Sequence, residues 1–315
     1  MLASSGIRRT LVCQYGRRPA TTAVLSTTTS SGVSQQSLPK DQQVRFGFSA
    51  GGLLFPFYVG VCRGLEKAGY LSPNTKLAGA SAGSLIAACV NSGLPMDTVS
   101  TLCEELMDDV RRHGARGRLG IVLEKFLESA LPEDAHVRCT GKTFVAVSSM
   151  EKTSSRGLSA FAGFGAPQGQ LISEFKDRDD LISALMTSCH IPLYMDGRLT
   201  NTFRGSMHLD GGVTNFIPLP PDDGTPGVRV SCFGAKQMSL VYDIGIAPDV
   251  FEEWPHGLPQ MVQWAFNPAE HHFQAMLVDR GECDALSWAA KFEAEQKAAN
   301  EALAEASLSS MEGSE

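Results

Sequence analysis

The stretch Lys76-Leu77-Ala78-Gly79-Ala80-Ser81-Ala82-Gly83 joins one short apolar segment to a second, longer one. Residues 76–79 predict a strand, and residues 83–92, which are apolar on nearly all sides, predict a buried helix. The pattern G-x-S-x-G at Gly79–Gly83 is typical of a sharp strand-to-helix turn that presents a serine hydroxyl, with the glycines letting the chain turn. The helix N-terminus favours developing negative charge there. The same small residues can alternatively serve only tight packing.

The chain before this turn has the same order of elements. Val44–Phe48 alternates like a short strand, Ser49–Leu53 is a turn of small residues, and residues 57–68 have the apolar spacing of a helix. Strand, turn and helix twice in succession form the βαβ pattern of a parallel sheet. We therefore predict an α/β fold.

The turn Ser49-Ala50-Gly51-Gly52-Leu53 is a candidate binding element. Two adjacent glycines can aim successive backbone N–H groups at one point, as an acyl-transfer site requires for its oxyanion. The alternative is anion binding at a helix N-terminus. Neither G-x-x-x-x-G-K-[ST] nor G-x-G-x-x-G occurs, so nucleotide binding is not favoured.

Asp210 is a candidate general base. It ends the apolar stretch Met207-His208-Leu209 and precedes Gly211-Gly212-Val213, so it can reach across a turn. Burial beside Ser81 would raise its pKa and make it a usable base at neutral pH. An ordinary turn is the alternative, and two further Asp-Gly pairs compete with it, at Asp196 and Asp223.

Taken together, these three motifs resemble the patatin-like phospholipase family, over roughly Val44 to Ser287. Residues 180–192 look like the segment ahead of the catalytic aspartate in the adiponutrin and adipose triglyceride lipase branch, while residues 48–57 and 264–270 look closest to plant and algal patatin-like proteins. The resemblance implies a three-layer α/β/α fold with a mostly parallel central sheet. The nucleophilic serine then lies on an elbow after the second strand.

The resemblance also implies a site. It assigns Ser81 as nucleophile and Asp210 as base, in a dyad without histidine, cofactor or metal. It assigns the oxyanion hole to the N–H groups of Gly51, Gly52 and Leu53, and supporting turns to four further glycines: Gly79, Gly83, Gly211 and Gly212. The family pattern G-G-G-x-R/K-G has no basic counterpart here, because Ala50-Gly51-Gly52-Leu53-Leu54-Phe55 replaces it.

The activity that this resemblance implies is hydrolysis of carboxylic esters of acyl lipids: acylglycerols, phospholipids or galactolipids. Two alternatives use the same chain. One is a non-catalytic lipid-binding or regulatory protein, and the other is a transacylase, in which another hydroxyl replaces water. Apolar residues cluster at 53–58 and at Phe251, Trp254, Trp264 and Phe266, and we expect these clusters to form the core and a substrate channel. The alternative is that some of them contact the membrane or lipid-droplet surface from which the substrate is drawn.

Histidine chemistry provides a further alternative. A Ser-His-Asp triad could use His256 or His271, because chain order does not define a triad. His208, His271 and His272 could bind metal, although no H-E-x-x-H or Cys/His spacing supports it.

Composition limits the remaining classes. The 315 residues carry 27 Lys or Arg and 34 Asp or Glu. Residues 1–40 hold five of the basic and none of the acidic side chains, so the rest has a net charge of −12, and a nucleic-acid partner is not expected. The eight cysteines are scattered singly, a pattern that favours buried thiols in a reducing compartment over a disulfide framework or a zinc site. No protein partner can be named from the sequence.

The Arg- and Ser/Thr-rich start predicts an organelle transit segment, with the plastid favoured over the mitochondrion. A basic tail without any targeting function, in a cytoplasmic or lipid-droplet protein, is the alternative.

We divide the chain into a transit-like segment at 1–42, one acyl hydrolase domain at 43–288, and a charged C-terminal helix and tail at 289–315. Further predicted elements are strands at 143–148 and 228–233 and helices at 97–112, 119–129, 179–188 and 289–306.

Overall fold

A computed structural model describes residues 38–150 and 166–312, with side chains up to residue 306. The segment predicted to be transit-like therefore lies almost entirely outside the described residues. Within the described ranges the strands are β1 (Arg45–Phe48), β2 (Leu77–Gly79), β3 (Thr143–Met150), β4 (Gln168–Ile172), β5 (Asn201–Phe203), β6 (Ser206–Asp210) and β7 (Gly227–Val230). The helices are α1 (Phe55–Ala68), α2 (Ala82–Asn91), α3 (Met96–His113), α4 (Leu119–Ala130), α5 (Ala135–Cys139), α6 (Arg178–Ser188), α7 (Ala235–Met238), α8 (Leu258–Phe266) and α9 (His271–Glu312).

The strands form one sheet in the order β5-β6-β3-β2-β1-β7, with β4 also paired to β3. The pairs β7–β1, β1–β2 and β2–β3 are parallel, whereas β4, β5 and β6 add antiparallel pairs. The predicted α/β class with a parallel centre is confirmed. In parallel strands the carboxyl ends lie on one edge, so the turns after β1 and β2 are neighbours.

Two apolar clusters enclose the sheet. One contains apolar side chains of β1, α1, β7, α8 and α9, with Phe46, Phe57 and Leu277 fully buried. The other contains side chains of β3, α4, α5 and α6, with Val145 and Leu185 fully buried. These clusters give the three layers predicted by the resemblance.

Helix α1 packs directly against α9 through glycines. A Cβ atom on Gly60 would lie 1.9 Å from the Val278 carbonyl oxygen, and one on Gly281 would lie 2.2 Å from the Phe57 carbonyl oxygen. The helix predicted at 289–306 is thus the end of a longer helix that begins at His271. The side chains of residues 293–306 are exposed, as predicted, but the first half of the helix belongs to the core.

The longer predicted elements agree with the structure to within two residues at most ends. The strand predicted at 228–233 is wrong at its end, because β7 stops at Val230. Six elements have no clear pattern in the sequence, because they are short or mix buried and exposed positions: α5, α7, α8, β4, β5 and β6. In the described part of the chain, no helix has the length and apolar character to cross a membrane.

Candidate active site

Ser81 occupies the turn between β2 and α2 with a strained backbone. Its φ is 51° and its ψ is −124°, a conformation that is rare for residues other than glycine. Its N–H donates to Ser188 Oγ at 2.9 Å, and its carbonyl oxygen accepts from Ser84 Oγ at 2.7 Å. These contacts from α6 and α2 hold the strained residue at the N-terminus of α2.

The two glycines of this turn allow close packing. A Cβ atom on Gly79 would lie 2.1 Å from the Gly83 backbone, and one on Gly83 would lie 2.3 Å from the Phe48 carbonyl oxygen. Neither glycine has a positive φ. The absence of side chains at these glycines thus permits the sharp turn and the approach of α2 to β1, while Ser81 takes the strained conformation.

Asp210 is the last residue of β6 and is 6% exposed. Its Oδ1 accepts from the Gly212 N–H at 2.7 Å, whereas its buried Oδ2 has no hydrogen-bond partner among the described residues. Burial raises the pKa of the carboxyl to about 6, against the opposing effect of the Gly212 N–H and the Ser81 hydroxyl. The Ser81 hydroxyl is the side-chain donor that opposes this rise in pKa, so it lies close to the Asp210 carboxyl.

Gly211 and Gly212, which follow Asp210, allow the turn to pack closely against β3 and the turn after β1. A Cβ atom on Gly211 would lie 2.1 Å from the Ala146 carbonyl oxygen, and one on Gly212 would lie 2.8 Å from the Ala50 Cβ. The Asp210 N–H donates to the His190 carbonyl oxygen at 2.9 Å. The acid turn is thereby packed between β3 and the turn that follows β1.

The turn after β1 presents unpaired N–H groups. The Ala50 N–H donates to the Phe216 carbonyl oxygen at 2.9 Å, and the Leu54 N–H donates to the Gly51 carbonyl oxygen at 3.1 Å. Between them, the N–H groups of Gly51, Gly52 and Leu53 have no acceptor within the described residues. Gly52 has a φ of 53°, and a Cβ atom there would lie 2.3 Å from the Ala265 carbonyl oxygen in α8. Such a row of donors suits a developing negative charge.

One cavity brings these groups together. Ala50, Gly51, Gly52, Ser81 and Asp210 all line it. Its remaining walls are apolar and come mainly from α8 and from the turns after β6 and β7. Asp210 is the single charged residue in these walls within the described chain.

A second cavity begins at Ser81 and extends between the helices. Gly52, Leu53 and Ser81 form one end of it, and apolar side chains of α2, α3 and α4 form most of the rest. No charged side chain of the described residues lines it. We call this the helix cavity, and the one containing Asp210 the aspartate cavity.

No histidine lines either cavity in the described part of the chain. His256 packs its ring against Trp254, Trp264 and Phe273, while His271 lies 3.4 Å from an Asp108 carboxylate oxygen. The structure therefore does not support a triad through His256 or His271. The same described residues contain no group of three or more His, Cys, Asp or Glu side chains arranged to hold a metal ion.

The competing Asp-Gly pairs lie away from Ser81. Asp196 is paired with Arg198 at 2.5 Å, and Asp223 is paired with Lys76 at 2.8 Å. Neither aspartate lines a cavity that contains Ser81. Of the three Asp-Gly pairs, the structure brings only Asp210 to the candidate serine.

Three contributors to the site were not predicted from the sequence. The Ser188 hydroxyl accepts a hydrogen bond from the Ser81 N–H, and α8 lines the aspartate cavity beside the glycine turn. The Tyr58 hydroxyl donates to the Ser49 carbonyl oxygen at the start of this turn. Ser188 lies in the segment 180–192 that carried part of the family resemblance. The sequence marked Tyr58, Trp264 and Phe266 only as members of apolar clusters, because the roles of Tyr58 and α8 at the site depend on contacts between distant parts of the chain.

A sequence model of the patatin-like phospholipase family matches residues 48–223, more than half of the chain. The chain belongs to this family. The matched range contains Ser81, Asp210 and the glycine turn that lines the aspartate cavity with them. The patatin-like three-layer α/β/α fold, with the serine on an elbow after β2, is confirmed.

This patatin-like chain has several characterised relatives. It is 26% identical over 214 residues to a Mus musculus omega-hydroxyceramide transacylase, covering 66% of this chain and 32% of that one. It is 32% identical over 183 residues to the Homo sapiens 1-acylglycerol-3-phosphate O-acyltransferase PNPLA3, covering 55% and 34%. It is 28% identical over 188 residues to the Homo sapiens patatin-like phospholipase domain-containing protein 2, covering 58% and 34%. The chain thus spans about a third of each relative's length.

Proposed function

We propose that this chain is a lipid acyl hydrolase that cleaves carboxylic esters of acyl lipids through a covalent acyl-enzyme. The observation that carries the proposal is the buried Asp210 carboxyl in the same cavity as the strained Ser81 and the unpaired N–H groups of Gly51 and Gly52. Membership of the patatin-like phospholipase family supports it.

The proposed reaction has two steps. Asp210 accepts the proton of Ser81 as Oγ attacks the ester carbonyl carbon, and the N–H groups of Gly51, Gly52 and Leu53 stabilise the oxyanion. The ester bond breaks and the leaving alcohol takes the proton from Asp210. Water then attacks the acyl-enzyme with Asp210 again accepting a proton, which returns to Ser81 as the fatty acid leaves. The helix cavity would hold the acyl chain.

The test is labelling of the full chain by a fluorophosphonate probe, followed by fatty-acid release from emulsified acylglycerols, phospholipids and galactolipids. Ser81→Ala is expected to abolish both signals, and Asp210→Asn to lower turnover by about 10²–10⁴. Ser129→Ala, at an exposed serine, and Asp196→Asn, at a partly buried aspartate outside both cavities, are matched controls and are expected to keep full activity. A folded chain that neither labels nor turns over would instead be a non-catalytic lipid-binding protein.

Transacylation is the second candidate function. The aspartate cavity favours it, because its apolar walls suit a second lipid as acyl acceptor, and relatives of this chain are named as a transacylase and an acyltransferase. Adding monoacylglycerol to the assay separates the two. A transacylase forms diacylglycerol faster than it releases fatty acid, and a hydrolase does the reverse.

Import into an organelle, with the plastid favoured, is a further proposal. It rests on the basic, acid-free composition of residues 1–40. A fluorescent protein fused behind residues 1–42 should enter the organelle. The same fusion with Arg8, Arg9, Arg17 and Arg18 changed to Ala should stay in the cytoplasm.

A further inference from the structure

Helix α8 exposes an apolar stripe at the mouth of the aspartate cavity. Leu258, Val262 and Phe266 are spaced four residues apart, so they lie on one face of the helix. They are 40%, 41% and 38% exposed, and all three also line the cavity. The same side chains therefore face both solvent and the candidate active site.

Two neighbouring segments extend this exposed surface. Val213, which follows the acid turn, is 54% exposed and lines the same cavity. Leu240 and Val241 are 97% and 76% exposed, just beyond Met238 in the cavity wall. We call these six residues the apolar rim: Val213, Leu240, Val241, Leu258, Val262 and Phe266.

The segments that carry the rim contain no charged residue. Residues 211–221, 238–242 and 257–269 have no Asp, Glu, Lys or Arg, although the chain from residue 41 onward has a net charge of −12. Segments without charge of their own offer little to an anionic membrane or to a charged protein partner. It fits an uncharged or zwitterionic lipid surface, into which apolar side chains can insert.

We propose that the apolar rim docks the protein on the surface of neutral or zwitterionic lipid, with the cavity mouth opening onto that lipid. This inference rests on the proposed function for the identity of the occupant. Leu54, Phe57, Tyr58 and Trp264 are buried, in agreement with the predicted core, whereas Phe266 of the same predicted set belongs to the rim.

The test is co-flotation of the full chain carrying Ser81→Ala with phosphatidylcholine vesicles. Binding is expected at low salt and unchanged at 0.5 M salt, roughly the range where charge attraction is screened. The double variant Leu240→Gln/Val241→Gln should reduce partitioning by about tenfold or more, because two apolar side chains lose their burial in lipid. Val137→Gln, at a 66% exposed apolar residue on α5, is the matched control.

The outcomes separate this proposal from the enzymatic one. Equal binding by the double variant, or binding lost at high salt, would overturn docking by the rim. A dimer that dissociates in the double variant, without vesicle binding, would show instead that a second copy covers this face. Hydrolysis of the soluble ester p-nitrophenyl butyrate tests the enzyme alone, since it needs no lipid surface, and the double variant should retain it.

A separate set of contacts concerns Tyr58, below the glycine turn. Its hydroxyl donates to the Ser49 carbonyl oxygen at 2.7 Å and lies 2.7 Å from Ser49 Oγ and 3.2 Å from Cys232 Sγ. A Cβ atom on Gly51 would lie 3.0 Å from this hydroxyl and 2.6 Å from the Cys232 sulfur. The Tyr58 hydroxyl and the Cys232 thiol thus pack directly against Gly51, and neither leaves room for a side chain there.

We infer that Tyr58 is a positioning residue for the oxyanion turn. It fixes Ser49 and Gly51, and so sets the direction of the next N–H groups, in a chain that lacks the basic residue of the family pattern. Burial raises the pKa of the Tyr58 hydroxyl, so the group stays protonated and able to donate. This inference also rests on the proposed function, because it concerns the same N–H groups.

Tyr58→Phe tests this inference, because it keeps the ring and its edge contact with Phe48. We expect kcat to fall about tenfold or more with KM unchanged, since misdirected donors weaken transition-state binding. Tyr70→Phe, at a buried tyrosine that packs on Trp288 in the same cluster, is the control for general destabilisation.

Backbone hydrogen exchange gives a readout that does not depend on activity. In Tyr58→Phe the amides of residues 50–53 should exchange faster than in Tyr70→Phe. Unchanged exchange there, or a kcat equal to that of Tyr70→Phe, would overturn the positioning role even if the chain proves inactive on every ester.

Discussion

At the scale of single residues, Ser81 combines strain with a buried neighbour that resists ionisation. A backbone at φ 51° and ψ −124° is unfavourable for serine, and glycine adopts it without a Cβ penalty. We predict that the free energy of unfolding of Ser81→Gly exceeds that of Ser81→Ala by about 1–2 kcal/mol, so that Ser81→Gly unfolds at a higher denaturant concentration. Both variants lose the nucleophile, so equilibrium unfolding of the two isolates the strain. Equal stabilities would show that the surrounding structure relaxes around Ala.

Protonation of Asp210 should lower the rate of the proposed reaction at acid pH. Because burial raises the pKa of this carboxyl to about 6, the base is protonated below that pH. We expect kcat/KM for p-nitrophenyl butyrate to rise with pH through an apparent pKa near 6 and then stay level. Asp196→Asn should reproduce this profile. A profile that is flat from pH 4.5 to 8 would exclude Asp210 as the base.

The same raised pKa has a cost in stability. The folded chain holds a proton on Asp210 up to about pH 6, whereas an unfolded Asp releases it near pH 3.9. The free energy of unfolding therefore loses a contribution as pH rises between these values, and the loss is complete above pH 6. Asp210→Asn should be more stable than the parent by about 3 kcal/mol at pH 8, with no gain at pH 3.5. Urea unfolding at both values measures the difference, and a variant that is less stable at pH 8 would contradict it.

At the scale of elements, the contact of α1 with α9 depends on missing side chains. Gly60→Ala places a methyl group against the Val278 carbonyl oxygen, where the Cβ would be 1.9 Å away. The helices must separate, so we predict a loss of about 1–3 kcal/mol. Gly257→Ala, which meets nothing closer than 3.7 Å and has a φ of −76°, is the control. Thermal unfolding of the two variants should rank them in this order.

The element that contributes most to the site after the elbow is α8. It touches the glycine turn through Ala265, and the Phe266 carbonyl oxygen accepts from the Tyr194 hydroxyl at 2.5 Å. Its outer face carries three of the six residues of the apolar rim. One short helix thus forms the cavity wall and the proposed docking surface together.

At the scale of the whole molecule, the end of α9 is separable from the core. Core side chains of α9 extend to Ala289, with Phe292 packed against them, and the described side chains beyond Glu293 are exposed. Deleting residues 297–315 should change the free energy of unfolding by less than about 0.5 kcal/mol and leave hydrolysis intact. Deleting residues 271–315 uncovers α1 and should give insoluble protein. Expression and unfolding of both truncations check this, and an insoluble chain ending at 296 would show that the exposed end has a structural role.

The sequence by itself determined the βαβ start, the serine elbow and the acid. Each depends on local chemistry: alternation, helical spacing, and small residues where the chain turns sharply. Even there the pattern did not say which residue is strained, because Gly79 and Gly83 have ordinary backbones and Ser81 does not.

Only the tertiary structure decided which of three Asp-Gly pairs reaches Ser81, and that no histidine among the described residues lines its cavities. It also identified Ser188 and Tyr58 as supports and α8 as a wall. These roles depend on pairs of residues that are distant in the chain and carry no local pattern. The pKa of Asp210 belongs with them, since it follows from burial, and burial is a property of the packed molecule.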